Sequence, residues 1–439
     1  MRIVLSILAL ALAWTGLAFS IEPVPTWFYV FAWYPTLVLL DAIATRRGVP
    51  SVFSRPDLAL SLFGWSAVVW FVFEALNFRL ENWYYVFLPR FGPERWIGIT
   101  LSFATVVPAI VLAERVLGGL GVGERWRSTP MRHGLKHPGQ FAWIGVVVLV
   151  LVLVWPRWLF PLAWGALFLL ADPLVHGRRP DLSLIADVER GDWRRIGRLM
   201  LGGLLIGGVW ESYNHWARGK WIYTVPMLEE MKWFEMPPLG FLGFPFFALE
   251  AWAMYSALVA LGVAVPLPTP NNERKEAEVD EERRAALPYV GVSRRPSLAI
   301  LPYLAAAAFI VATLAAMERY TISSTVPSLG TLPAGLEGIG SVWQLAASRP
   351  ESLAAATGLP LDSTRSMVEL ARFATLRGIG SGHAHALRQA GLRTVCDLAG
   401  ADAYNLWAHL HGLNPHLGRR PTEAEVRVWI RAARRACPA

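Results

Sequence analysis

Apolar residues run along this chain in long blocks, and the blocks end in aromatics and arginines. Nine blocks, at about residues 3–20, 27–42, 59–76, 97–117, 140–155, 158–173, 198–213, 241–263 and 298–316, approach the roughly 20 residues that cross a bilayer. Tryptophan and tyrosine crowd their ends, as interfacial belts do. The pattern predicts an all-α polytopic membrane bundle with a smaller helical region after residue 317.

Polar positions inside the apolar blocks recur at matching places. Ala32–Asp41 (AWYPTLVLLD) aligns with Ala163–Asp172 (AWGALFLLAD), and RPDL occurs at Arg55 and again at Arg179. Glu74 and Asn77 match Glu211 and Asn214, Pro89 matches Pro226, and the segment ending at Glu114 matches that ending at Glu250. The reading is a duplicated three-helix unit. One intervening helix restores the chain direction, so the two repeats run parallel, and such repeats pack about an axis along the membrane normal. The insert SLIADVERGDWRR has no counterpart in the first unit and reads as a cytoplasmic amphipathic surface segment.

The implied organisation is a signal peptide or first transmembrane helix over 1–20, unit one over 21–139 and a connecting helix over 140–156. Unit two covers 157–266, a charged cytoplasmic linker 267–297, a last transmembrane helix 298–316 and the tail 317–439. Composition agrees: 54% of the 439 residues are hydrophobic and 17% charged, which excludes an ordinary soluble enzyme. With the amino terminus inside, the inner segments hold 21 Lys and Arg and the outer ones 7, so the positive-inside rule places the tail outside the cytoplasm. Cys396 and Cys437 both fall in that tail, where a disulfide is permitted without being implied by their spacing.

Carboxylates in apolar blocks are costly, so they face a bundle interior, a cavity or a partner. The three-residue spacing of Glu74–Asn77 and Glu211–Asn214 puts each pair on one helix face. A buried carboxyl can serve as a proton donor, and its neighbouring amide can orient it or bind a substrate oxygen. The same residues can equally hydrogen-bond helices together. On the catalytic reading Glu250 is the proton donor, Glu74 and Glu211 relay protons or stabilise a cation, and Asn77 and Asn214 position. Glu114 belongs to the same duplicated set, with Arg115 as a local ion-pair partner. Asp41 and Asp172 read as helix-end anchors. Trp83, Tyr85, Trp221 and Tyr223 read as interface anchors. No metal-ligand spacing, phosphate loop, nucleophile elbow or dinucleotide fingerprint occurs, so no cofactor is expected.

The three-plus-one-plus-three layout of residues 27–263 is similar to that of the membrane lycopene cyclases, although their proline-glutamate motif followed by paired phenylalanines is absent. That resemblance implies an apolar isoprenoid substrate among membrane lipids. Around Gly378-Ile379-Gly380, the tail resembles a tandem helix-hairpin-helix domain over about 333–436. It implies that Gly378, Ile379, Gly380, Ser381 and His383 present backbone to a nucleic-acid phosphate. From Met317 on there are 13 arginines, 9 acids and no lysine, so such binding is weak and salt-sensitive, and hairpin pairs also serve as packing or partner-binding modules, the reading this charge balance favours.

The sequence thus leads to a multi-pass cell-membrane protein with an extracytoplasmic tail. Its expected function is acid-base chemistry on a lipid or isoprenoid-like molecule. The alternatives are a non-enzymatic envelope protein that binds DNA or a protein partner through its tail, and a proton-coupled carrier.

Overall fold

The computed structural model describes residues 1–131, 135, 137–225, 231–268, 300–328, 338–413 and 419–437. The expected charged linker lies outside the described residues from 269 to 297, as does Pro226. Among the described residues the chain is all-α apart from one two-stranded sheet.

The membrane part comprises α1 (Arg2–Ala18), α2 (Phe28–Arg46), α3 (Pro56–Leu80), α4 (Gly92–Phe103), α5 (Val106–Gly119) and α6 (Gly139–Val154). After the short α7 (Pro156–Leu159) come α8 (Ala163–Arg178), α9 (Leu184–Glu189), α10 (Arg194–Trp216), α11 (Gly243–Ala260) and α12 (Leu301–Tyr320). Among the described residues, six spans are long and apolar enough to cross a membrane: Phe28–Arg46, Pro56–Leu80, Gly92–Gly119, Pro156–Arg178, Pro238–Ala260 and Leu301–Tyr320. The helices α1 and α6 are apolar but shorter.

Two expected straight helices are broken. The segment expected over 97–117 divides into α4 and α5, because Pro108 has no N–H for the carbonyl four residues back and its ring crowds that turn. The buried Ser66 hydroxyl spans the break, donating to the Phe103 carbonyl at 2.8 Å and accepting from the Val107 amide at 3.0 Å. In α8 the backbone leaves helical geometry at Trp164, where ψ is 43°.

At the end of the bundle away from the sheet, Asp41 accepts from the Ser51 hydroxyl at 2.6 Å and the Val52 amide at 2.8 Å. Asp172 accepts in the same manner from the Ser183 hydroxyl at 2.8 Å and the Leu184 amide at 3.0 Å. Both aspartates therefore anchor the turn that follows their helix. This geometry pairs Ser51 with Ser183, and it separates the two RPD motifs: Pro56 opens α3, whereas Arg179 caps the end of α8. The RPD alignment is thus displaced from the structural correspondence. The SLIADVERGDWRR insert is also not a surface segment. Leu184, Ile185 and Ala186 are buried, Asp187 pairs with Arg195 at 2.8 Å, and the Trp252 indole donates to the Leu182 carbonyl.

At the opposite end, β1 (Trp83–Val86) pairs antiparallel with β2 (Lys220–Tyr223). The register is Trp83 with Tyr223, Tyr84 with Ile222, and Tyr85 with Trp221. Since Trp83 and Tyr85 correspond in sequence to Trp221 and Tyr223, the pairing is symmetric about Tyr84 and Ile222. A lone two-stranded ribbon is marginal in water, and here both its edge and its face are covered. Residues after α12 run along β1, with the Tyr85 amide donating to the Thr321 carbonyl at 2.8 Å and the Val326 amide to the Leu88 carbonyl at 2.8 Å.

The tail folds as α13 (Val342–Ala347), α14 (Pro350–Thr357), α15 (Leu361–Thr375), α16 (Gly380–Gln389), α17 (Val395–Ala399), α18 (Ala403–Gly412) and α19 (Glu423–Ala436). It has its own core around Phe373, Ile379, Leu387 and Trp429. Cys396 and Cys437 are joined in a disulfide, which ties α17 to the end of α19.

Candidate functional site

Side chains alternate across a strand, and the short sheet uses both of its faces. Trp83, Tyr85, Trp221 and Tyr223 point into a cavity of about 440 Å³ in the membrane part. Tyr84, Val86 and Ile222 point the other way and pack with Phe87 and with Val428 of the tail. The sheet is therefore a roof, with the cavity beneath and the tail above. The four aromatics expected as interface anchors are instead the ceiling of an internal site. Tyr29, Trp70, Phe103, Trp164, Trp210 and Phe247 extend its aromatic wall. Leu239, Leu242 and Phe246, which are exposed, line its flank.

The Glu-Asn pairs hold this ceiling. Glu74 Oε1 accepts from three ring donors: Trp70 Nε1 at 3.0 Å, Trp83 Nε1 at 3.0 Å and the Tyr85 hydroxyl at 2.5 Å. Glu211 Oε1 accepts from the Tyr223 hydroxyl at 3.0 Å. The Oε2 atoms of both glutamates are buried without a hydrogen-bond partner among the described residues. Asn77 clamps the chain entering β1, accepting from the Asn82 amide at 2.9 Å and donating to the Trp83 carbonyl at 2.8 Å. Asn214 does the same for β2, accepting from the Trp221 amide at 3.0 Å and donating to its carbonyl at 2.9 Å. Both asparagines are spent on backbone, so neither is available to a substrate oxygen.

Glu250 and Glu114 lie elsewhere. Glu250 Oε1 accepts from the Leu167 amide at 2.7 Å, just past the break at Trp164, and Glu250 is absent from the cavity lining. It supports the kinked helix that carries Trp164, whose ring stacks on Phe73 with centroids 5.6 Å apart. Glu250, expected as the direct proton donor, therefore lies behind the cavity wall, against the helix that carries Trp164. Glu114 joins α5 to α10 through Arg198 at 2.8 Å. Its expected neighbour Arg115 instead donates to the carbonyls of Pro268 and Pro50.

The tail hairpin packs against the roof. Gly378 and Gly380 adopt φ values of +87° and +68°, which glycine tolerates at no steric cost. Their backbone approaches the roof, however. A Cβ on Gly378 would lie 2.7 Å from Val86 Cγ1, and one on Gly380 would lie 2.5 Å from Ser324 Cβ. Ile379 is fully buried. The two ring nitrogens of His383 lie 3.0 Å from the Ile379 and Arg419 carbonyls, of which the neutral ring donates to one, and burial lowers its imidazole below the ordinary value. Ser381 opens the same helix, and its carbonyl faces His385 Nδ1 at 2.7 Å. The surface expected to meet a phosphate is occupied by the sheet. Arg377 adds an ion pair to Glu235, and Trp343 packs edge-on to Phe87.

No cluster of three or more His, Cys, Asp or Glu side chains able to hold a metal ion occurs among the described residues. Residues 332–436 match a family described as a domain of unknown function, DUF4332. No curated protein and no solved structure matches the chain.

Proposed function

We propose that this protein is a membrane-embedded enzyme that binds an apolar, isoprenoid-like molecule in the aromatic cavity and acts on it by acid-base chemistry. The observation that carries this reading is the pair of tyrosines, Tyr85 and Tyr223, that line the cavity while donating to buried Glu74 and Glu211. Each hydroxyl stands between a carboxyl and the bound molecule, a suitable place for proton transfer. The tryptophan faces around them attract positive charge that develops on an apolar skeleton. Glu250 acts through Trp164, and Asn77 and Asn214 act through the strands. The volume suits a small-molecule site, for which roughly 300–1,000 Å³ is usual.

The duplicated units supply the Tyr-Glu pairs in equivalent positions about the axis through Tyr84 and Ile222, which supports parallel repeats. The arginine asymmetry and the tail disulfide support an extracytoplasmic tail, since disulfides persist in oxidising compartments. A role in binding DNA through the hairpin is not favoured, because its glycines are packed on the roof.

Lipid profiling of a deletion strain complemented with variants tests the reading. Wild type restores the profile, and Glu74→Gln leaves an accumulating precursor at normal levels of folded protein, with turnover down by about 10²–10⁴-fold. An unchanged lipid profile in the deletion strain removes the enzyme reading.

A further inference from the structure

The two units wall the cavity unequally. Among the described residues that line it, four are exposed: Pro161, Leu239, Leu242 and Phe246. All four are apolar, and they belong to the spans Pro156–Arg178 and Pro238–Ala260. These spans meet at the cavity, since a Cβ on Gly243 would stand 3.6 Å from Trp164 Cδ1. Both are broken there. Phe160–Leu162 and Pro238–Leu242 are short 3-10 helices, and the backbone departs from helical geometry at Trp164. Broken backbone at membrane depth is tolerated where it lines a cavity.

The first unit closes its own side with a helix. Alignment of Glu114 with Glu250 sets Phe103 opposite Leu239 and Val106 opposite Leu242. Phe103 and Val106 line the cavity and are buried, as is Ile99 one turn earlier on α4. Trp27 seals the join between α2 and α4: a Cβ on Gly98 would collide with its ring, and its indole donates to Glu94 at 3.0 Å. Over the described residues 231–242 the second unit has no such helix. It has a turn in which Trp233 and Met236 exchange backbone hydrogen bonds, followed by the 3-10 helix. Leu239 and Leu242 are left exposed where their counterparts are covered.

We infer that the cavity opens sideways into the bilayer through this flank and takes a membrane lipid, whose chain passes between Pro161 and the residues Leu239, Leu242 and Phe246. The inference rests on the reading of the cavity as a small-molecule site and adds the source and route of its ligand. An apolar mouth set in two membrane spans meets lipid chains, and there its side chains carry no hydration cost. From the opposite direction the sheet and the docked tail stand in the way. A chain entering at the flank arrives beneath the ceiling that holds Tyr85 and Tyr223.

The test is photo-crosslinking of the full chain in phosphatidylcholine nanodiscs, with the labelled residues read by mass spectrometry. One probe is a phosphatidylcholine with a diazirine midway along one acyl chain, which stays anchored in the bilayer. The other is geranylgeraniol carrying a diazirine. Both should label the exposed Trp143 of α6, and both should label Trp70 and Phe103 inside the cavity. The phosphatidylcholine should also mark the mouth at Leu239 and Phe246. Leu242→Trp narrows the mouth and should cut phosphatidylcholine labelling of Trp70 about tenfold relative to Trp143, the scale of a steric misfit in a pocket. Leu162→Trp, at an exposed neighbour outside the lining, should leave it unchanged. Labelling of Trp70 and Phe103 by geranylgeraniol alone, or equal phosphatidylcholine labelling in Leu242→Trp, overturns the lateral route and leaves the cavity reading intact. If neither probe reaches Trp70 or Phe103 while both label Trp143, the cavity reading falls as well. The two wild-type patterns decide the matter even if the tryptophan variants fold poorly.

Discussion

Glu74 and Asn77 sit three residues apart on α3 yet do different work, and the difference lies in what each atom touches. Asn77 satisfies backbone at the mouth of β1, so Asn77→Ala leaves buried amide and carbonyl groups without partners. Thermal or denaturant unfolding should show a loss of roughly 2–3 kcal/mol, with activity following the amount of folded protein. Glu74 instead gathers three ring donors on one oxygen, so Glu74→Gln keeps an acceptor and its shape but loses the proton. Activity per folded molecule is the quantity that separates these roles. The burial of both residues was legible from their recurrence as Glu211 and Asn214, because polar positions rarely recur by chance in apolar sequence. Their targets were not. A carboxylate and an amide on one helix face reveal nothing of the strand that folds back over them.

His383 gives a residue-scale prediction in pH. Its folded-state pKa lies below the unfolded value of about 6.5, so the unfolded chain binds the extra proton on acidification. Its contribution is therefore fully present above about pH 6.5 and is lost as pH falls through the unfolded value toward the folded one. Hydrogen exchange of peptides covering α16 in the full chain should quicken on going from about pH 7 to pH 5, after correction for intrinsic exchange. No change in protection over that interval would contradict the burial argument. The sequence offered this histidine as a phosphate contact, because a ring three residues past a hairpin shows its spacing and hides its burial.

Between elements, the contacts of the tail with the roof explain what the glycines of the hairpin are for. Gly378→Ala and Gly380→Ala each place a methyl group against Val86 or Ser324 at a positive φ, where a side chain is already strained. Each should loosen the tail, detected as faster proteolysis between residues 321 and 341 and weaker protection of β1 in hydrogen exchange. Unaltered docking in both variants would count against the interface. The helices were largely readable, since long apolar blocks leave little choice under bilayer constraints. The strands were hidden because WYYV and KWIY are four residues long and carry the Trp and Tyr that also mark interfaces. The broken helices were partly signalled by Pro108, whereas the departure at Trp164 depends on Glu250 accepting the Leu167 amide across a helix interface. Glu250→Gln retains an acceptor and should be nearly neutral in stability. Glu250→Leu leaves that amide without a partner and should cost roughly 1–3 kcal/mol in thermal unfolding.

For the whole molecule, the bundle, roof and tail form a stack in which the membrane cavity is closed from above by the sheet and the sheet is closed by the tail. This order requires the sheet end and the tail to lie on one side of the membrane. A cysteine placed at Phe91 should react in intact cells with a membrane-impermeant maleimide, whereas one at Leu120, at the far end of the bundle, should not. Reversed labelling would invert the proposed orientation.

The most direct test of the central claim is native mass spectrometry of the full chain released from nanodiscs made with its own membrane lipids. Wild type should retain one apolar small molecule per chain through activation that strips annular lipid. Ser102→Trp, which fills the cavity from α4, should lose it while keeping its secondary structure and thermal transition. An equal adduct in both proteins, or none in either, would contradict the account.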